Sequence, residues 1–140
     1  MQKLSQRLQA VVDALPLVEG MRVLEIGCGP GAAARAVAHR IGSGYVLGID
    51  RSAAAIAQAV AGSQVQIAGG TLEFRQAAAE TFTLTPDEAN FDLAFAIRVG
   101  ALDGRHPEAG RLALARIRAA LNPGGRLFVD GGSPLRELVW

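Results

Sequence analysis

Val23-Leu24-Glu25-Ile26-Gly27-Cys28-Gly29-Pro30-Gly31 joins a short apolar run to three alternate glycines. The run, Arg22 to Ile26, is bounded by Gly20 and by the glycine cluster, and it reads as a buried strand. The glycines predict a sharp turn in which the backbone lies bare to a ligand, because a Cβ would screen it. Gly31 to Ile41 is rich in alanine and free of proline, and Gly42 stands where a helix usually stops, so the turn runs directly into a helix. Glu25 falls two residues before Gly27, at the carboxyl end of the strand. A carboxylate there faces the ligand crevice of an open α/β sheet and suits a cationic ammonium group.

The alternation continues outward from this stretch. Tyr45 to Asp50 is a second strand, and Ser52 is a good N-cap for an Ala-rich helix running toward Ala68, weakened in its middle by Gly62 and Ser63. Leu72 to Gln76 predicts a third strand, Phe91 to Ile97 a fourth, and Arg126 to Asp130 a fifth after the turn Asn122-Pro123-Gly124-Gly125. A helix from about Pro107 to Leu121 separates the last two. Ala77 to Asn90 contains Pro86 and several threonines, and predicts a short helix or an irregular crossover. At the N-terminus, Leu4, Leu8, Val11, Val12 and Leu15 recur at helical spacing, giving an amphipathic helix within residues 1–16 that Pro16 ends.

Strands this continuously apolar have no wet face, which argues for a parallel sheet covered on both sides. The handedness of parallel crossovers then favours a doubly wound α/β sheet of about five strands in the order 3-2-1-4-5. The 140 residues fit one domain, with residues 20–130 as its core. Half of the residues are apolar and 19% are charged, so the chain is expected to fold rather than remain disordered. A net charge of +1, with scattered Lys and Arg, gives no footprint for gripping a polyanion, and nucleic acid is not expected as a partner. The lone Cys28 allows no internal disulfide, no apolar stretch is long enough to span a bilayer, and the start has no secretory pattern; the cytoplasm is the expected address.

Asp50 ends the second strand, next to the first, where an acid can accept hydrogen bonds from both hydroxyls of a ribose. Its separation from the glycines is close to the ~20 residues expected for that pairing. Residues 23–31, VLEIGCGPG, resemble the first motif of class I S-adenosylmethionine-dependent methyltransferases. GID at 48–50 resembles their ribose-binding acid, FDLAFAI at 91–97 their fourth strand, and LNPGGRLFV at 121–129 their turn and fifth strand. The resemblance implies S-adenosyl-L-methionine as cofactor. Gly27, Cys28, Gly29 and Gly31 would form the loop along its methionine part, Glu25 would support its amino group, Asp50 would hold the ribose, and Arg51 would border the adenine. Many members carry an Asp after the third strand that binds the adenine amino group, and here Ala78 stands at that position. A backbone N–H at Ala78 or Ala79 would serve instead, with help from Glu80, and affinity would fall by the ~1 kcal/mol of a typical hydrogen bond.

In the family the sheet continues past the fifth strand through a helix and an antiparallel hairpin. Gly131 to Trp140 are too few to supply both, so the chain is expected to be shortened there, and the apolar end Leu138, Val139 and Trp140 suggests a homodimer through that edge. Arg98, Asp103, Arg105 and His106 follow the fourth strand on the ligand side and are the local candidates for substrate contacts; Arg98 is also grouped with the cofactor site, and His106 is a candidate general base. Cys28 reads as a small residue in a tight loop rather than a nucleophile, and His39 as a surface residue near a helix end. Arg111, Arg116 and Arg118 read as a solvated helix face, and no His/Cys spacing suggests a metal. The expected activity is methyl transfer to a small-molecule acceptor by in-line displacement. Two alternatives stand beside it: a noncatalytic S-adenosylmethionine-binding or regulatory subunit, and an NAD(P)-binding oxidoreductase, since Gly27, Gly29 and Ala32 also satisfy the dinucleotide pattern.

Overall fold

The computed structural model describes residues 4–139. Helix α1 (Gln6–Ala14) starts at Ser5, whose hydroxyl accepts the Leu8 N–H at 3.2 Å, and it buries Val11 and Val12. Then β1 (Arg22–Ile26), α2 (Ala32–Ile41) and β2 (Tyr45–Asp50) follow as the sequence predicts. Ser52 caps α3 (Ala53–Ala61) through the Ala55 N–H at 3.1 Å. The predicted continuous helix to Ala68 is two helices, with α4 (Gln64–Ala68) set off by a break at Gly62-Ser63. Ser63 leaves helical geometry at φ −130°, is fully buried, and accepts a 3.0 Å hydrogen bond from Arg35, so a tertiary contact completes the break that glycine permits.

Strands β3 (Leu72–Gln76) and β4 (Phe91–Ala96) come next, followed by a 3-10 turn at Gly100–Leu102, α5 (Pro107–Ala120), β5 (Leu121–Asp130) and β6 (Leu135–Leu138). The sheet order is β3-β2-β1-β4-β5-β6, parallel throughout except for the antiparallel β5–β6 pair. Three boundaries differ from expectation. Strand β4 stops at Ala96 because the chain turns at Arg98, a non-glycine residue with φ +57°. Strand β5 begins at Leu121, which pairs with Phe91; the Asn122–Gly125 turn then bulges out before Arg126 pairs with Leu93. The residues beyond Asp130, expected to leave the β5 edge bare, instead fold back as β6 and cover it, with Leu127 opposite Leu138 and Arg126 paired to Glu137 at 2.8 Å. Val139 is 88% exposed, and Trp140, the last residue of the expected dimer edge, lies outside the described residues.

Successive strand residues point to opposite faces, so the sheet has two cores. Val23, Val46, Leu72 and Phe74 pack under α1, α2 and α3 on one face; Leu24, Ile26, Leu47 and Ile49 pack against α5 on the other. The 77–90 segment is irregular rather than helical, yet it drives Phe82 into the second core, where it is 3% exposed. No helix among the described residues is long and apolar enough to cross a membrane.

Candidate functional site

The carboxyl ends of β1, β2, β3 and β4 border a crevice of about 200 Å³. Ile26 and Gly27 enter its wall from β1, Ile49 to Arg51 from β2, Ala77 to Glu80 after β3, and Arg98 to Gly100 after β4. Connections leave β1 and β4 in opposite directions along the sheet, and the gap that this opens is where ligands bind in such folds.

The turn after β1 is fixed by its own hydrogen bonds. Gly27, Gly29 and Gly31 all have positive φ, at +71°, +53° and +89°. The N–H groups of Gly27 and Cys28 both donate to the Ile49 carbonyl, at 2.8 and 2.9 Å, which ties the turn to β2. The glycines differ in what surrounds them. A Cβ at Gly27 would lie 2.8 Å from the Val99 side chain, so glycine there lets the post-β4 segment close over the turn. A Cβ at Gly31 would strike Phe74 at 2.8 Å and Ala59 at 3.2 Å, so this glycine serves helix packing. At Gly29 nothing lies within 4 Å of that position, and the peptide is open to a visitor.

Asp50 is already engaged: one carboxylate oxygen accepts the Gly29 N–H and the other the Ser52 N–H, both at 2.9 Å. Each oxygen retains a lone pair for a further donor. Glu25 is 3% exposed, and its Oε1 has no hydrogen-bond partner among the described residues. Burial, with the charge of Asp50 adding to it, holds the Glu25 carboxyl well above the usual carboxylate range. An orphaned carboxyl in this position is costly unless a donor, preferably a cation, comes to meet it. Cys28 is also buried, and its thiol is pushed up by desolvation and by the acids at 25 and 50, which removes it as a nucleophile at neutral pH.

Of the residues singled out in the sequence, Gly27, Asp50, Arg51, Ala78, Ala79 and Arg98 lie in the crevice wall. Gly29 adjoins it through Asp50, whereas the side chain of Cys28 faces inward, where a Cβ on Gly48 would meet it at 2.9 Å. Gly31 lies on the helical side of the turn. His106 is the exposed N-cap residue of α5; it approaches Gly100 but is not part of the wall. The sequence reading missed Val99 and Gly100, although the rule that places Arg98 beyond a strand end applies equally to them. A larger groove of about 900 Å³ runs between α1, α2 and the α3–α4 turn, past Leu4, Ala36, His39 and Val65. It lacks the converging strand ends and the positive-φ turn, so chemistry points to the smaller crevice, whose wall includes Ile26 but not the neighbouring Glu25.

Comparison with known proteins agrees with this geometry. Residues 23–125 match the methyltransferase domain family. An O-methyltransferase of Aspergillus nomiae is 32% identical over 134 residues, covering 91% of this chain and 56% of the relative. Among solved structures, that of the [4+2]-cyclase SpnF is 29% identical with a TM-score of 0.67, covering 87% of this chain and 42% of that one. A Thiobacillus denitrificans S-adenosylmethionine-dependent methyltransferase, solved with S-adenosyl-L-homocysteine, shares the fold at 24% identity and a TM-score of 0.68, over 90% of this chain and 48% of its own. The chain thus spans about half the length of these relatives. Matched from the strand that carries Glu25 to the Gly124-Gly125 turn within β5, the chain belongs to the methyltransferase domain family.

Proposed function

We propose that this chain binds S-adenosyl-L-methionine in the crevice and directs its methyl group to a small-molecule acceptor. The observation that carries the reading is the Glu25 carboxyl, buried and unpartnered at the end of β1 and within the electrostatic reach of Asp50. An amino-acid ammonium would supply the missing donor. Gly27, Cys28 and Gly29 would run along the methionine portion, the spare lone pairs of Asp50 would take the ribose hydroxyls, and Arg51 with the Ala78 and Ala79 backbone would flank the adenine. Bound there, the cofactor supplies a methyl group already activated on a positively charged sulfur, so the chain's own task is to position an acceptor and exclude water.

Calorimetric titration with S-adenosylmethionine, S-adenosylhomocysteine and NADH tests the reading. The first two are expected to bind, and binding of NADH alone would overturn it. The cyclase relative favours one second reading, a cofactor-binding domain of this family that does not transfer methyl groups. Binding without turnover of any acceptor would select it. A single domain, a cytoplasmic setting and a homodimer belong to the same proposal. The buried free thiol of Cys28 fits a reducing compartment, and the outer side of β6 with exposed Val139 is the edge through which a dimer would form. Sedimentation of the wild type and of Val139→Glu tests the dimer.

A further inference from the structure

Resting on the reading above, we infer that the acceptor carries a carboxylate, held by the guanidinium of Arg98. Arg98 lines the crevice, is exposed, and makes no hydrogen bond or ion pair with any described residue. A nearby arginine shows the contrast: Arg105 is closed on Asp103, its Nε 2.6 Å from Oδ2. The backbone at Arg98 adopts φ +57°, a conformation that non-glycine residues rarely take and that clusters at functional sites. Nothing in the described contacts of its side chain accounts for an arginine in that conformation.

Its place in the fold specifies which ligand group it meets. Ile26 pairs with Ala96 in the β1–β4 ladder, so Arg98 lies beyond the last paired residues, on the rim above the glycine turn. Val99, next to it, packs on Gly27. The adenine side of the wall, from Ala77 to Glu80, follows β3, three strands from β4 with β2 and β1 between, so the β4 rim borders the methyl-donating end. A sulfonium beside an unpaired guanidinium repels a cationic acceptor and attracts an anionic one. Arginine's planar fork matches a carboxylate in particular.

A carboxylate acceptor also accounts for what the wall lacks. It contains no histidine, and His106 stands outside it. Asp50 is occupied by two backbone N–H groups, and Glu80 lies on the adenine side. An alcohol or amine acceptor has a proton to lose, whereas a carboxylate has none at neutral pH. One acceptor oxygen accepts from Arg98 while the other bonds to the methyl carbon. The carbon–sulfur bond breaks with its electron pair left on sulfur, and the products are a methyl ester and a neutral thioether. No general base is required.

The test uses the full chain loaded with S-adenosylhomocysteine, titrated with benzoate, succinate and citrate, each beside its amide. At least one acid is expected to bind ten-fold or more tightly than its amide. Arg98→Gln is expected to remove that preference, an effect larger than any on S-adenosylhomocysteine affinity, with Arg98→Lys recovering part of it. Arg98→Gly, which relieves the backbone as it deletes the charge, is expected to match Arg98→Gln and guards against misfolding of the latter. Acids that bind no better than their amides overturn the inference and leave the cofactor reading intact. A large loss of S-adenosylhomocysteine affinity in Arg98→Gln also overturns it, because the arginine would then serve the cofactor. Failure of S-adenosylhomocysteine to bind the wild type removes both.

Discussion

Replacing Glu25 by Gln separates stability from binding in opposite directions. In the unliganded chain the carboxyl is buried with Oε1 unpartnered, and its ionisation is held well above the ordinary value of 4.5. Below that ordinary value the folded and unfolded chains both carry the proton. As pH rises, the unfolded chain releases it first while the folded chain keeps it, so stability falls until the folded value is passed. Gln has no such proton, and the gain in stability from the substitution should grow with pH. Gln leaves the buried position equally unpartnered, so the gain comes from the proton alone, about 1.4 kcal/mol for each pH unit above the ordinary value until the folded one is reached. A gain of that order at neutral pH corresponds to roughly 4 °C in Tm per kcal/mol for a chain of this size. The same substitution removes the negative partner of a ligand ammonium. Hydrogen bonds to charged groups contribute about 1.5–3 kcal/mol, so S-adenosylmethionine affinity should fall by roughly ten- to a hundred-fold. Thermal melts across pH and calorimetric titrations read the two effects. A variant less stable than wild type at neutral pH, or one that binds S-adenosylmethionine unchanged, would refute the assignment of the orphaned carboxyl to the cofactor.

Three further outcomes are expected. Asp50→Ala strips the acceptor from both the Gly29 and Ser52 N–H groups, so it should weaken S-adenosylmethionine binding by ~1–3 kcal/mol and raise amide exchange at Gly29; an unchanged titration would place the ribose elsewhere. Cys28, buried and with its thiol pushed up, should resist iodoacetamide in the native chain and react once urea unfolds it, as followed by mass spectrometry. Glu88 is held down to about 2, chiefly by its hydrogen bonds to Arg75, so the stability it contributes is present above its ordinary 4.5 and is lost as pH falls through about 2. Glu88→Gln should flatten the acid limb of the stability curve in that interval, and an unaltered limb would show the pair to be inert.

The parallel core was legible because its central strands β1 and β2 are mostly apolar and its helices are punctuated by Ser52, Gly42 and Pro107, signals that act over a few residues; the outer β3, expected to have no wet face, instead exposes Glu73 and Gln76. The elements that escaped depend on distant partners. Strand β6 has only four residues, two of them charged, and its register becomes visible only when Arg136 and Glu137 face β5. The break before α4 was signalled by Gly62, but its cause is Arg35, which reaches Ser63 from another helix. Within the site, the strand-end rule gathered Gly27, Asp50, Arg51 and Arg98 around one crevice. It could not distinguish three glycines that look alike in sequence, because what separates them is a valine after β4, a phenylalanine on β3 and an empty space. Nor could it foresee the left-handed backbone at Arg98, which ends β4 one residue early.

The clasp of Asp50 on Gly29 and Ser52, with the Ile49 carbonyl gripping Gly27 and Cys28, has a kinetic corollary. The rim of the β1–β2 end is set during folding, before any nucleoside arrives, so its ordering entropy is not charged against association. Capture of the nucleoside half should therefore be a single fast phase whose rate scales with ligand concentration. Any slow step should trace to the rim after β4, where Val99 leans on the turn.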